Sequence, residues 1–170
     1  MSQTTLISFF QYAGIKNKWH DFSRMGRSPI VQKKTKGLSF FKPLGTGSGI
    51  GFSIKPDFST FGFVAVFTSE ELAKDFLSTN VIKEYTKTAA SFSHVLMHTV
   101  KSHGKWSKQN PFEASVDFDK TKPLAVITRA TIKPKLAYQF WKNVPSVSKS
   151  MNNYDELIYS KGIGEFPLLM

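Results

Sequence analysis

The feature that most constrains the fold is the order of strand-like and helical patterns along the chain. Strand-like segments occur at 5–14, 36–51, 60–69 and 91–106. Helical spacing of apolar residues occurs at 16–29 and 69–89. The order is therefore βαββαβ, which is the ferredoxin-like unit, and we expect an α+β fold.

The two predicted helices have recognisable apolar stripes and boundaries. Trp19, Phe22 and Met25 fall at helical spacing in the first, which we read as a core-facing stripe. In the second, Ser69 is a plausible N-cap followed by acidic residues, and Leu72, Phe76 and Leu77 recur on one face.

A shorter pattern begins after the polar linker at 108–123. A strand is predicted at 124–132, a helix at 133–147 and a strand at 155–170, giving a βαβ unit. We expect a single domain of 170 residues, with a first repeat at about 1–107 and a second at about 123–170. Because the chain stops within the apolar run 166–170, we expect this second unit to be incomplete and truncated.

Charge and cysteine content limit the function classes. The chain has 23 Lys and Arg against 12 Asp and Glu, a net charge of +11, and the densest basic cluster lies at 31–37. No nucleic-acid-binding motif accompanies it, so we expect weak, non-specific contact with nucleic acid or anionic membrane and no specific nucleic-acid partner. The absence of Cys excludes disulfides, a thiolate nucleophile and iron–sulfur clusters, and fits a reducing cytoplasm.

Four glycines at every second position, the glycine series, lie at Gly45, Gly47, Gly49 and Gly51. They match neither the dinucleotide fingerprint nor the P-loop in any register. Such spacing is typical of a strand with one face free of side chains, where another backbone or a flat ligand approaches closely. The alternative is a flexible surface loop.

Few residues are candidates for chemistry. Arg129 lies inside a predicted apolar strand, where a charge needs a partner or an anionic ligand, and Glu165 is a possible partner. We consider a structural ion pair first and a catalytic role second. His94 and His98, four apart, would share one face of a strand and are candidate metal or haem ligands, although strand histidines are more often simply packed.

Six segments together resemble the spheroidene monooxygenase family. They are MGRSPI (25–30), KPLGTGSGIGFSIKPD (42–57), HGKWSKQNPF (103–112), TRATIKP (128–134), FWKNVP (140–145) and KGIGEFPLLM (161–170). The resemblance covers nearly the whole chain and implies a dimeric α/β-barrel fold. It also implies oxidation of long acyclic carotenoids to the ketone by a haem enzyme that uses dioxygen.

The most specific parts of the resemblance supply the candidate cofactor-binding residues. These residues are Gly47, Gly49, Gly51, Lys161, Gly162 and Gly164. Family members continue beyond the 161–170 segment with a strand and a histidine-bearing helix, so we expect the helix that carries the haem ligand to be absent here.

The resemblance implies an apolar small-molecule substrate. The alternative function is a non-catalytic module of the same fold that binds haem or an apolar ligand. We further expect a homodimer, because helices cover only one face of a ferredoxin-like sheet and the other face must be buried.

Overall fold

The computed structural model describes eight stretches of the chain. They are residues 2–13, 34–49, 51, 53, 55–129, 132–136, 138–144 and 154–165. The helix predicted at 16–29 and the apolar run at 166–170 lie outside the described residues.

The described chain is built around a five-stranded antiparallel sheet. Its strands are β1 (Thr4–Gln11), β2 (Leu38–Gly47), β3 (Pro56–Phe67), β4 (Ser91–Met97) and β5 (Ile163–Glu165). They lie side by side in the order β4-β1-β3-β2-β5, and every neighbouring pair is antiparallel. The first four strands have the split arrangement of the ferredoxin-like unit, so the predicted α+β ferredoxin-like fold is confirmed.

The second predicted helix forms as two helices, α1 (Glu70–Leu77) and α2 (Asn80–Thr86). Ser69 is the N-cap of α1, as predicted, and its hydroxyl accepts a hydrogen bond of 3.4 Å from the Leu72 amide. Between the helices the Thr79 hydroxyl donates 2.7 Å to the Phe76 carbonyl. A hydroxyl that donates to a backbone carbonyl competes with the hydrogen bonds of a continuous helix. This competition accounts for the break between α1 and α2.

An aromatic core fills the space between the sheet and these helices. Phe10, Phe63, Phe67 and Phe76 are at most 2% exposed, and the Phe63 and Phe76 rings meet edge to face at 6.0 Å. Residues paired across β1 and β3 alternate between this face and the opposite one. The face of the sheet that packs against the helices therefore forms the main hydrophobic core.

The second predicted unit differs from the expected βαβ pattern. The strand predicted at 124–132 is not formed over its described part, 124–129 and 132, and the described residues hold no strand that pairs with it. Leu124 and Val126 in this segment are 62% and 77% exposed. The helix predicted at 133–147 is found as a 3-10 turn at Pro134–Leu136 and as α3 at 138–144. Within 155–165, the described part of the predicted final strand, the strand formed is β5, which extends the first sheet beside β2.

The other face of the sheet is partly covered by the second half of the chain. Trp106 packs there with Phe40, Leu44, Val64 and Val66. Phe112, Ile127 and Ile163 extend this second cluster. Within the described part of the chain, no helix has the length and apolar character needed to cross a membrane.

Candidate functional site

Part of the second sheet face stays open and forms a cleft of about 730 Å³. One part of its lining is apolar and comes from β1, β4 and the 154–159 stretch: Phe9, Phe92, Tyr154, Leu157, Ile158 and Tyr159. The polar part includes Gln11, Asp57, Thr60, Ser91, Ser93 and Lys161. The volume falls within the range of small-molecule sites.

A close contact between the two central strands places Phe9 in the cleft. Phe9 is paired with Gly62 across β1 and β3. A Cβ at Gly62 would clash with the Ser8 carbonyl oxygen and would lie 2.9 Å from Phe9 Cδ1. The missing side chain thus lets the Phe9 ring lie against β3, where it also meets the Tyr159 ring at 5.9 Å.

A partly buried ion pair closes the polar part of the cleft. Lys161 Nζ lies 3.2 Å from Asp57 Oδ2, and the two side chains are 13% and 19% exposed. The ammonium also donates to the Gly49 carbonyl at 3.5 Å. The pair therefore ties the segment before β5 to the start of β3 and to the loop after β2.

The pKa values of Asp57 and Tyr159, which both line the cleft, are shifted in opposite directions. Burial alone would raise the pKa of Asp57, but hydrogen bonds from Ser59, Thr60 and Lys161 outweigh it and lower the pKa to about 2. Burial of the Tyr159 hydroxyl raises its pKa, although the residue as a whole is largely exposed. At neutral pH the cleft thus presents a fixed carboxylate and a protonated phenol.

A second polar cluster is centred on Glu165. Arg129 Nη2 and Nε lie 3.0 and 3.1 Å from Glu165 Oε1, so the predicted Arg129–Glu165 pair is found. Trp106 Nε1 donates 2.8 Å to the same oxygen, and Lys42 Nζ lies 3.2 Å from Oε2. The Arg129 guanidinium also lies 5.8 Å from the Trp106 ring centroid.

The Glu165 cluster favours a structural role over acid–base chemistry. Burial opposes ionisation, but hydrogen bonds from Lys42, Arg129 and Trp106 prevail and lower the pKa of Glu165. A carboxylate held by three donors is a poor proton acceptor near neutral pH. The cluster instead joins β2, β5 and the 106–129 region.

The glycine series pairs with the backbone of the 162–164 segment. The sequence predicted close approach of either another backbone or a flat ligand, and the structure shows a backbone. Gly45 is paired with Gly164, and the Gly47 amide donates 2.9 Å to the Gly162 carbonyl. The series does not continue as a strand past Gly47, since Gly49 and Gly51 have φ values of +77° and +72°. Gly51 instead exchanges hydrogen bonds with the 160–162 backbone.

Among the candidate cofactor-binding residues, Gly49 and Lys161 line the cleft. Gly47, Gly51, Gly162 and Gly164 form the backbone contact beside it. A Cβ at Gly47 would lie 3.1 Å from the Ser53 carbonyl oxygen, whereas a Cβ at Gly49 would meet nothing within 4 Å. The two glycines therefore differ: Gly47 is needed for close approach and Gly49 for its backbone conformation.

The candidate metal ligands lie outside the cleft lining. His94 is on the exposed edge strand β4, beside the Phe92 ring. His98 follows β4, and its Nε2 lies 3.1 Å from Glu70 Oε2 at the start of α1. In the described part of the chain, no three His, Asp or Glu side chains converge as a metal site.

Sequence reasoning named Lys161 and Glu165 as candidates but missed Asp57 and Trp106. Asp57 and Lys161 are 104 positions apart, and Trp106 and Glu165 are 59 apart, so no local spacing could reveal these contacts. Gly62 carried a usable signal, because a glycine inside a strong strand indicates close approach of another group.

The strand order and the cleft define a ferredoxin-like α+β domain with a site large enough for a small molecule. No protein-family model matches the chain. Spheroidene monooxygenase from Rhodobacter capsulatus is 30% identical over 165 residues, covering 95% of this chain and 68% of that protein. The chain therefore belongs to the spheroidene monooxygenase family.

Two further relatives have the same name. The Cereibacter sphaeroides protein is 27% identical over 168 residues, which cover 98% of this chain and 52% of the relative. The Rubrivivax gelatinosus protein is 30% identical over 137 residues, which cover 78% of this chain and 52% of that protein. The chain thus spans about half the length of two of these relatives and about two thirds of the third.

Solved structures show a weaker similarity. SnoaB, a cofactor-independent oxygenase from Streptomyces nogalater, matches with a TM-score of 0.43 and 11% identity, over 62% of this chain and 100% of SnoaB. A dimeric protein of ferredoxin-like fold from Bacteroides fragilis has a TM-score of 0.42 and 11% identity, over 57% of this chain and 96% of its own. These values are too low to support a conclusion about this chain, whose fold follows from its own strand order.

Proposed function

We propose that this chain is part of an oxygen-dependent monooxygenase that oxidises a long apolar polyene of the carotenoid type. The observation that carries the proposal is an open, aromatic-walled cleft in a member of the spheroidene monooxygenase family. The cleft is the proposed place of reaction. The names of the relatives support spheroidene as the first substrate to test.

The shape and lining of the cleft support a ligand that enters by one end. Phe9 and Tyr159 provide flat apolar surface against which a conjugated chain can pack. Because the cleft opens to the surface, a polyene longer than the cleft can extend out of it. Burial of its reacting end would remove water from that carbon.

The overall chemistry needs an external reductant. One atom of dioxygen is inserted into a C–H bond and the other leaves as water, which consumes two electrons and two protons. A ketone requires a second such oxidation at the same carbon, followed by loss of water. The chain's own part is to bind the polyene in the cleft and to orient it.

Haem, which the family resemblance implies, does not fit the described residues through an imidazole ligand. His94, His98 and His103 are described, and none of them lines the cleft. We therefore derive no step through haem, and haem binding stays a prediction of the resemblance. An absorption spectrum of the purified protein, with and without added haemin, tests it: a Soret shift that saturates at one equivalent would support haem.

The alternative is a non-catalytic module that binds an apolar ligand in the same cleft. The two functions differ only in turnover, so one assay separates them. Purified protein is incubated with spheroidene and a chemical reductant under isotopically labelled dioxygen or under argon. We expect a hydroxylated or keto product that carries the label and is absent under argon; binding of spheroidene without product would favour the module.

A further inference from the structure

We propose that Lys161 determines specificity in the cleft: its ammonium group donates a hydrogen bond to an oxygen acceptor at one end of an otherwise apolar ligand. The inference rests on the proposed function only in taking the cleft as the ligand site. It adds a preference for a ligand with an oxygen acceptor over a plain hydrocarbon.

The contacts of Lys161 leave it able to donate. An ammonium group has three protons. Among the described residues, its partners are Asp57 Oδ2 at 3.2 Å and the Gly49 carbonyl at 3.5 Å, the second of which is a weak contact. Since Lys161 also lines the cleft, a third donor is available to a bound molecule.

The position of the ammonium is fixed before a ligand binds. The Lys161 side chain is 13% exposed, and the backbone beside it is held by the Gly162 amide, which donates 2.6 Å to the Gly51 carbonyl. Asp57 is itself held by the Ser59 amide at 2.9 Å. A donor held in this way loses little entropy when it meets its acceptor.

The cleft that Lys161 lines combines polar and aromatic side chains, which matches a ligand with a polar end and an apolar body. Thr60 and Gln11 contribute polar groups to the same cleft, while Phe9 and Tyr159 contribute aromatic surface. A hydrocarbon that fills the cleft would exclude water from the ammonium without replacing the lost hydrogen bond. Sites built around such a donor discriminate against analogues that lack the acceptor.

A matched pair of probes tests this requirement without any oxidation. Retinyl methyl ether has an ether oxygen at one end of its polyene, and axerophtene has the same carbon skeleton without oxygen. Each is titrated into the protein under argon, and binding is followed by quenching of intrinsic fluorescence. We expect the ether to bind about tenfold more tightly than the hydrocarbon, as a hydrogen bond to a charged group predicts.

Lys161→Met should remove this preference while keeping the affinity for axerophtene. The control is Lys101→Met, at an exposed position outside the cleft, which should keep the preference. If Lys161→Met does not fold, the double variant Asp57→Leu/Lys161→Met, which removes both charges of the ion pair and leaves no donor, is used, and the same loss of preference is expected.

Equal binding of both probes by the unmodified protein would overturn the proposal, as would binding of neither. Loss of both probes in a folded Lys161→Met protein would also overturn it, because Lys161 would then be structural only. Turnover is not measured in this experiment, so its failure is separate from failure of the proposed monooxygenase activity.

Discussion

At the scale of single residues, the carboxylates Asp57 and Glu165 are each at the centre of a polar cluster, of which the Asp57 cluster lines the cleft. Each is partly buried and each has a lysine partner, Lys161 or Lys42. Glu165 has Arg129 and Trp106 in addition. Each carboxylate joins segments that are distant in the sequence, so we expect both to contribute to stability in their ionised forms.

Asp57 should make stability depend on pH in the acid range. Its pKa is about 2 in the folded protein and 3.8 ordinarily, so its contribution is fully present above about pH 4 and is lost as pH falls through 2. This difference corresponds to about 2 kcal/mol. Urea unfolding between pH 5 and pH 2 should show a smaller fall in unfolding free energy for Asp57→Asn than for the unmodified chain. Equal falls in both proteins would contradict the assignment.

Glu165→Gln should destabilise the fold by removing the charge that Lys42 and Arg129 share. The Glu165 side chain is 35% exposed, so solvent screening limits the expected loss to about 1 kcal/mol. Glu156→Gln, at an exposed position, is the matched control and should leave the urea midpoint unchanged. An unchanged urea midpoint in both variants would show that the charge of Glu165 contributes nothing to stability.

At the scale of elements, the sheet has a protected centre and two exposed edges. β1 and β3 are each paired on both sides, whereas β4 and β5 end the sheet among the described residues. The described part of β5 is three residues long and depends on contacts with the glycine series and on the Glu165 cluster. The part of the cleft wall attached to β5 is therefore expected to open more easily than the sheet itself.

Rates of backbone amide hydrogen exchange should rise from the centre of the sheet to its edges. Amides of β1 and β3 that bond to a neighbouring strand should exchange most slowly, those of β4 and β5 faster, and exposed amides between 120 and 129 fastest. Mass spectrometry of peptides from each element measures these rates. Slower exchange in β5 than in β3 would contradict the sheet order.

Gly62→Ala should disrupt the contact between β1 and β3. The new methyl group would clash with the Ser8 carbonyl oxygen, which is backbone and can move only with its strand. We expect a loss of about 2 kcal/mol or more, in the range of overpacked cores. Gly104→Ala, where nothing lies within 4 Å of the new Cβ, is the control and should lose only about 1 kcal/mol from its φ of +87°. Equal unfolding free energies for the two variants would contradict the close contact.

The fold was more predictable than the site for physical reasons. Strong periodicity marked β1, β3 and α1, and the βαββαβ order then limited the sheet to a known arrangement. The strand predicted at 124–132 was wrong over its described part because apolar sequence alone does not supply a pairing strand. The Arg129–Glu165 pair was predictable because a charge in an apolar context needs a partner. Lys161 was a candidate through the family resemblance, but its contact with Asp57 gave no local signal.

At the scale of the whole molecule, the second sheet face decides assembly and function together. Trp106 and its neighbours cover one part of this face, and the cleft occupies another. Large apolar side chains such as Val126, Tyr138 and Ile158 are exposed in the described second half. Such exposure favours contact with another surface.

The chain should associate as a two-fold dimer, since a symmetric pair is the simplest way to cover apolar surface. Sedimentation velocity at concentrations on the order of tens of micromolar would measure this. A stable monomer at that concentration would show that the second face is sufficiently covered within one chain.

The most direct test of the proposed function is to block the cleft and measure turnover of spheroidene. Ser93 lies in the cleft on the exposed edge strand β4, so Ser93→Trp should fill the cleft with little effect on folding. Lys105→Trp, at an exposed position away from the cleft lining, is the matched control. We predict that kcat/KM for oxygen-dependent product formation falls at least tenfold in Ser93→Trp and is unchanged in Lys105→Trp. Unchanged turnover in a folded Ser93→Trp protein would contradict the proposal that the reaction takes place in this cleft.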